Sequence, residues 1–201
     1  MKLIGLVGSN YKKSTNRILL QYMQKHFTEG VEIKLIEIKE FPMFNKPASM
    51  KLPDIVQEIS EEIKLSDGVI IATPEYDHAI PATLMNALAW LSYGIDPFLN
   101  KPVMIIGASY GTLGSSRAQL QLRQILDAPE LKANVMPGSE FLLAHSLQAF
   151  NEAGDLSDIE VAKNLEKLFK SFQLFVKMVA NFSSAKEFIL EDTENKESLN
   201  K

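Results

Sequence analysis

The chain has 201 residues, 46% of them apolar and 23% charged, with a formal net charge of -4; this suits one domain with a substantial core and supplies no general basic field for nucleic acid. It contains no cysteine, which excludes disulfides, a thiolate nucleophile and Cys-ligated metals and leaves redox chemistry to a bound cofactor. No uncharged apolar stretch reaches the roughly 18 residues of a membrane span, and the apolar run from Leu3 to Val7 is too short for a signal-peptide core, so the expectation is a cytoplasmic protein that binds neither membrane nor nucleic acid.

Residues 2–7 read as a buried strand, followed over 16–27 by a helix with Ile18, Leu19, Tyr22, Met23 and Phe27 at helical spacing and a stop at Gly30. Residues 31–38 alternate weakly and read as an edge strand. An amphipathic helix over 53–65 carries Ile55, Val56, Ile59 and Ile63, and 68–73 (Gly-Val-Ile-Ile-Ala-Thr) is a buried central strand. Pro81 opens a helix bearing Leu84, Leu88, Trp90 and Leu91, residues 102–108 form the next buried strand, and 115–126 form a helix. A fifth strand over 133–141 is interrupted by Pro137 and Gly138. The terminal helix is expected over 157–182, capped by Ser157 or Asp158. Beyond the domain, 1–183, lies a polar tail, 184–201, expected to be partly disordered although Phe188, Ile189 and Leu190 can pack on a partner. Strands alternating with helices predict an α/β fold on a parallel sheet.

In such a sheet ligands bind beyond the carboxyl ends of the strands, which directs attention to three loops. The first, 8–16, offers hydroxyls at Ser9, Ser14 and Thr15, the Asn16 amide, and the free N–H groups of the helix it opens. It lacks both G-x-G-x-x-G and the nucleotide-triphosphate loop pattern, which leaves a hydroxyl-lined cradle for one phosphate; Ser14 also reads as a plain helix cap. In the second, 73–81, two prolines stiffen Glu75-Tyr76-Asp77-His78, a device suited to lining a flat ring but equally an ordinary turn with solvated charges. The third, 107–114, has glycines at 107, 111 and 114 beside Ser109 and Tyr110; these permit close approach to a ligand or a flexible connection.

Together these segments resemble the NAD(P)H-dependent FMN reductases, which include quinone, chromate and azo-dye reductases of the flavodoxin-like superfamily. The resemblance spans roughly residues 1–180. It is carried by Gly8-Ser9 with Ser14 and Asn16, by 73–81 followed by Leu84, Asn86-Ala87-Leu88 and Trp90, by Lys101-Pro102-Val103 leading to Gly107-Ala108-Ser109, Gly111 and Gly114, by Arg117-Ala118-Gln119 and Leu122-Arg123, and by 150–156. It implies a flavodoxin-like three-layer sandwich with a five-stranded parallel sheet ordered 2-1-3-4-5. It further implies that Ser9, Ser14, Thr15 and Asn16 hold an FMN phosphate, with Tyr11 beside them, that Pro74, Glu75, Tyr76 and Asp77 line the isoalloxazine, and that Ser109, Tyr110 and Gly111 close its other edge. Family members often have Arg where this chain has Tyr11 and Asn where it has Asp77; Lys12 or Lys13 then serves as a point charge for the phosphate, and Asp77 is expected to bond through its backbone or turn away from the ring. NADH or NADPH is the implied reductant and a quinone, azo, nitro, flavin or similar small molecule the acceptor. A homodimer, with a tetramer open, is the implied assembly.

No side chain is needed as acid or base, and the three histidines form no triad or metal cluster. His26 reads as a solvated helix residue, His145 as a structural or dimer contact, and His78 as near the substrate. Trp90, Leu91 and Tyr93 read as core or as interface aromatics. The competing class is a flavin-binding electron carrier or redox sensor without nicotinamide turnover, for which a charge of -4 is modest; a flavin-free protein retaining the fold is a third.

Overall fold

A computed structural model describes residues 1–138 and 140–199, with side chains through residue 182. Among these residues the β-rich runs pair as parallel strands, and the middle ones are apolar on both faces and need cover on both sides. β1 (Lys2–Val7), β3 (Gly68–Ala72) and β4 (Pro102–Ala108) form the middle, and β2 (Glu32–Glu37), which carries Glu32, Lys34 and Glu37, takes one edge. The order is β2-β1-β3-β4-β5, all parallel, as expected for the flavodoxin-like arrangement.

The fifth lane differs from the expected single strand. β5 (Asn134–Val135) pairs with the start of β4 and β6 (Phe141–Leu143) with its end. Pro137 lacks an N–H for the ladder and Gly138 turns at φ +64°. The chain therefore leaves the sheet and rejoins it farther along, placing residues 143–146 beside the strand ends.

Helices cover both faces. α2 (Asp54–Leu65), α3 (Ala82–Leu91) and α4 (Ser116–Leu126) pack Val56, Ile59, Leu84, Leu88 and Leu122 on one side; α1 (Thr15–His26) and α5 (Ile159–Leu199) pack Leu19, Met23, Leu165 and Phe172 on the other. Pro81 is the cap of α3 and not its first helical residue. Asp158, not Ser157, caps α5 through the N–H groups of Glu160 and Val161. α5 continues past the expected end at Phe182 to Leu199; the packing expected of Phe188, Ile189 and Leu190 lies outside the described side chains. The Lys101 ammonium, its pKa lowered by burial, donates to the carbonyls of Lys64 and Ser66 at 3.0 and 2.6 Å and so closes the C-terminal end of α2.

Trp90 and Leu91 are buried, not interfacial. Trp90 donates Nε1–H to the Pro42 carbonyl at 2.8 Å and meets Phe44 edge-on, while the Tyr93 hydroxyl donates to the Pro47 carbonyl at 3.0 Å. These aromatics anchor the long connection between β2 and α2.

Candidate active site

The carboxyl ends of β1, β3 and β4 open into a cleft of about 660 Å³, within the range of small-molecule sites. Of the residues singled out from the sequence, Ser9, Tyr11, Ser14, Thr15, Asn16, Pro74, Glu75, Tyr76, His78, Ser109, Tyr110 and Gly111 line it. Asp77 does not. It sits exposed at the tip of a two-residue turn in which Tyr76 and Ala79 exchange both backbone hydrogen bonds, and Asp77 and His78 both have positive φ, 50° and 65°. Asn and Asp are both among the residues that tolerate that conformation, so an Asn-to-Asp difference here is accommodated by the turn.

The floor is loop 8–16. Ser14 is the N-cap of α1, its Oγ accepting from the Arg17 N–H at a long 3.4 Å. The N–H groups of Thr15 and Asn16 in the first turn meet no acceptor among the described residues. They and the Ser14 hydroxyl can hold an anion against the positive end of α1. The Asn16 side chain plays a structural part: its Nδ2 donates to the Ala108 carbonyl at 2.8 Å and its Oδ1 accepts from the Ala108 N–H at 2.9 Å, so it locks α1 to the end of β4. Thr15 Oγ1 lies 2.8 Å from Ser146 Oγ, both buried. Beneath the loop, Arg17 donates to the carbonyls of Tyr11, Lys12 and Ser9 at 2.6, 3.1 and 3.4 Å and pairs with Glu37 at 2.5 Å. The Glu37 hydrogen bond raises the guanidinium pKa against the opposing effect of burial. By engaging those carbonyls from below, Arg17 holds the loop in one shape.

The walls are loops 73–81 and 107–114. Glu75 lines the cleft and its carboxylate caps α4, accepting from the N–H groups of Arg117 and Ala118 at 2.9 and 3.3 Å and meeting the Arg117 guanidinium at 3.3 Å. It substitutes for Ser115, which has φ +69° and makes no cap hydrogen bond through its side chain. Gly107, read from the sequence as permitting close approach to a ligand, is not among the lining residues. A Cβ there would stand 1.8 Å from Ser115 Oγ and 2.6 Å from the Thr73 carbonyl oxygen, so it permits the protein's own loops to close. Gly111 faces open space at the cleft. Residues 143–146 brace this wall: the Ser109 and His145 N–H groups donate to the Leu143 and Gly111 carbonyls, and the Ser146 N–H donates to the Ser109 carbonyl, at 2.9 to 3.0 Å.

The mouth carries Tyr11, Tyr76 and Tyr110, each about half exposed. Burial, and then the neighbouring phenols of Tyr11 and Tyr76, push the Tyr110 hydroxyl's pKa up. Arg117 is the one Lys or Arg among the lining residues, and Lys12 and Lys13 do not line the cleft. The histidines are dispersed: His26 is not simply solvated but meets Asp155 at 2.7 Å and packs its ring on Tyr22. No metal-binding cluster of His, Asp or Glu occurs among the described residues, and no helix among them is long and apolar enough to cross a membrane. The sequence pattern missed Arg17 and Ser146 as supports of this site.

Residues 1–148 match the family described as NADPH-dependent FMN reductase. The chain is 49% identical to the NADH:(hydroxy)cinnamate reductase subunit CrdA of Vibrio ruber, over 96% of this chain and 95% of that one, and 42% identical to the NADH-dependent flavin reductase subunit 2 of Lactobacillus johnsonii, over 88% and 97%. Among solved structures, the flavoenzyme NAD(P)H:(acceptor) oxidoreductase FerB of Paracoccus denitrificans superposes with a TM-score of 0.75 at 28% identity, over 90% of this chain and 97% of that one.

Proposed function

The chain belongs to the NADPH-dependent FMN reductase family, an NAD(P)H-dependent oxidoreductase with FMN as cofactor, and from that premise we propose that it serves a small acceptor such as a quinone, azo or nitro compound or free flavin by a ping-pong cycle. The observation that carries this reading is the pairing, in one cleft, of an anion cradle whose first-turn amides meet no acceptor among the described residues and a slot between two braced loops. FMN has both parts, a phosphate and a flat ring. When bound, it supplies the hydride chemistry, accepting from the nicotinamide and delivering to the acceptor.

Ser9, Ser14 and the N–H groups of Thr15 and Asn16 are the groups we assign to the phosphate. The backbone of Pro74, Glu75 and Tyr76 on one side and Ser109, Tyr110 and Gly111 on the other are assigned to the ring edges. Their role is to orient donor and acceptor in turn and to limit water at the floor of the cleft. A donor and an acceptor that share one open mouth favour alternating occupancy.

A cytoplasmic homodimer is the form in which we expect it to act. Met85 on α3, Leu120 on α4 and Leu113 at the cleft just before α4 are apolar and 46 to 60% exposed, which supports burial against a second chain. Two relatives are named as subunits, so light scattering of the purified protein, alone and in extract, separates self-association from pairing with a different chain.

The reading predicts a yellow protein whose flavin absorption bleaches anaerobically with NADH or NADPH and returns on adding a quinone. Absence of colour even with added FMN contradicts it, and colour without bleaching indicates an electron carrier.

A further inference from the structure

Past the wall formed by Tyr11 and Tyr76 lies a second, more open groove of about 620 Å³, lined by Asn10, Tyr11, Lys12, Lys13 and Tyr76. The two tyrosines line the cleft and the groove alike, so the spaces adjoin at the mouth. Lys12 and Lys13 belong to the groove alone. They are exposed, and neither has a carboxylate within ion-pair distance among the described residues. Arg17 below them is already committed to Glu37 and to the Tyr11 and Lys12 carbonyls. It holds the backbone of the segment from which the lysines extend, so the two cations line the groove without a carboxylate counterion among the described residues.

Two ammonium groups, two half-exposed phenol faces and one amide form a donor set for an anionic group joined to a planar one. A cleft that receives the nicotinamide end of a dinucleotide leaves its pyrophosphate and adenine to emerge at the mouth. We propose that this groove holds the adenosine diphosphate half of NADH or NADPH, with Lys12 and Lys13 on the pyrophosphate and Tyr11 and Tyr76 flanking the planar base. The assignment rests on the nicotinamide-dependent activity proposed above. It also removes the lysines from the cofactor phosphate, which is left to neutral donors and the end of α1.

Reduced nicotinamide mononucleotide lacks the adenosine half, so it separates the groove from the cleft. In the FMN-loaded protein, the double change Lys12→Ala with Lys13→Ala raises KM for NADH about tenfold, leaves kcat in place and leaves KM for reduced nicotinamide mononucleotide unchanged. The same variant binds FMN as the parent does, and its KM for NADH rises less steeply with salt. An unchanged KM for NADH overturns the assignment. So does a parallel rise for both donors, or a loss of FMN affinity, which returns the lysines to the cofactor phosphate. A parent protein that oxidises neither donor overturns the redox reading itself, and the groove's role falls with it.

Discussion

At the floor of the cleft Ser9, Ser14, Thr15 and Asn16 are no more than 6% exposed and each side chain bonds within the chain, whereas at the mouth Tyr11, Tyr76 and Tyr110 are 47 to 52% exposed. The floor is shaped before any ligand arrives, because its side chains are held by backbone groups and by Ser146 and leave helix amides to face inward. The mouth presents broad aromatic faces whose arrangement a ligand can alter. One region suits a resident cofactor and the other suits successive small molecules.

Changes at the floor should therefore cost folding and cofactor together, and changes at the mouth only turnover. Asn16→Leu has the largest expected effect, since it strands the Ala108 N–H and carbonyl in the interior. Each unpaired buried group costs about 1–3 kcal/mol, and with about 2–4 °C per kcal/mol in a chain of this size the melting temperature should fall by on the order of 10 °C, with loss of FMN. A melting curve of the apo variant matching the parent contradicts the locking role. Arg17→Met comes next: releasing three loop carbonyls should weaken FMN binding about tenfold, an amount worth about 1.4 kcal/mol, as read by fluorescence titration. Unchanged affinity would mean that the loop keeps its shape without Arg17.

Tyr110→Ala tests the other side of the comparison. With 52% exposure, Tyr110 should contribute little to stability, so we expect a few-fold rise in KM for aromatic acceptors and a melting temperature within about 1 °C of the parent, as for surface changes. A large loss of stability would make the mouth part of the scaffold. The smallest effect is expected far from both regions. Hydrogen bonds from Lys25 and His26 lower the Asp155 pKa, so its ionised form contributes stability above the ordinary carboxylate pKa, and that contribution is lost as pH falls through the lowered value. The melting-temperature gap between the parent and Asp155→Asn should close below about pH 4, with FMN affinity unaffected throughout.

The strands were legible because β1 and β4 are unbroken apolar runs; their ends coincide with the expected 2–7 and 102–108. The break in the fifth lane was visible as Pro137-Gly138, but not that the chain would rejoin the same neighbour through Phe141–Leu143. That pairing is long-range and brings Ser146 to Thr15, 131 residues away in the chain, without any local signature. Arg17 was hidden for a different reason, since it lies in a helix recognised by its apolar stripe while its contacts run backward into the loop. Loop residues 9–16 were legible from hydroxyls before a helix, but the role of the Asn16 side chain depended on where β4 ends.

The most direct test compares FMN with riboflavin, which differ only in the phosphate, by fluorescence titration of the apo protein at one ionic strength. Hydrogen bonds to a charged group contribute about 1.5–3 kcal/mol each, so the cradle of Ser9, Ser14 and the Thr15 and Asn16 amides should make FMN bind on the order of 100-fold tighter or more. Equal affinity for the two flavins would show that loop 8–16 does not receive the phosphate and would contradict the assignment of the cofactor to this cleft.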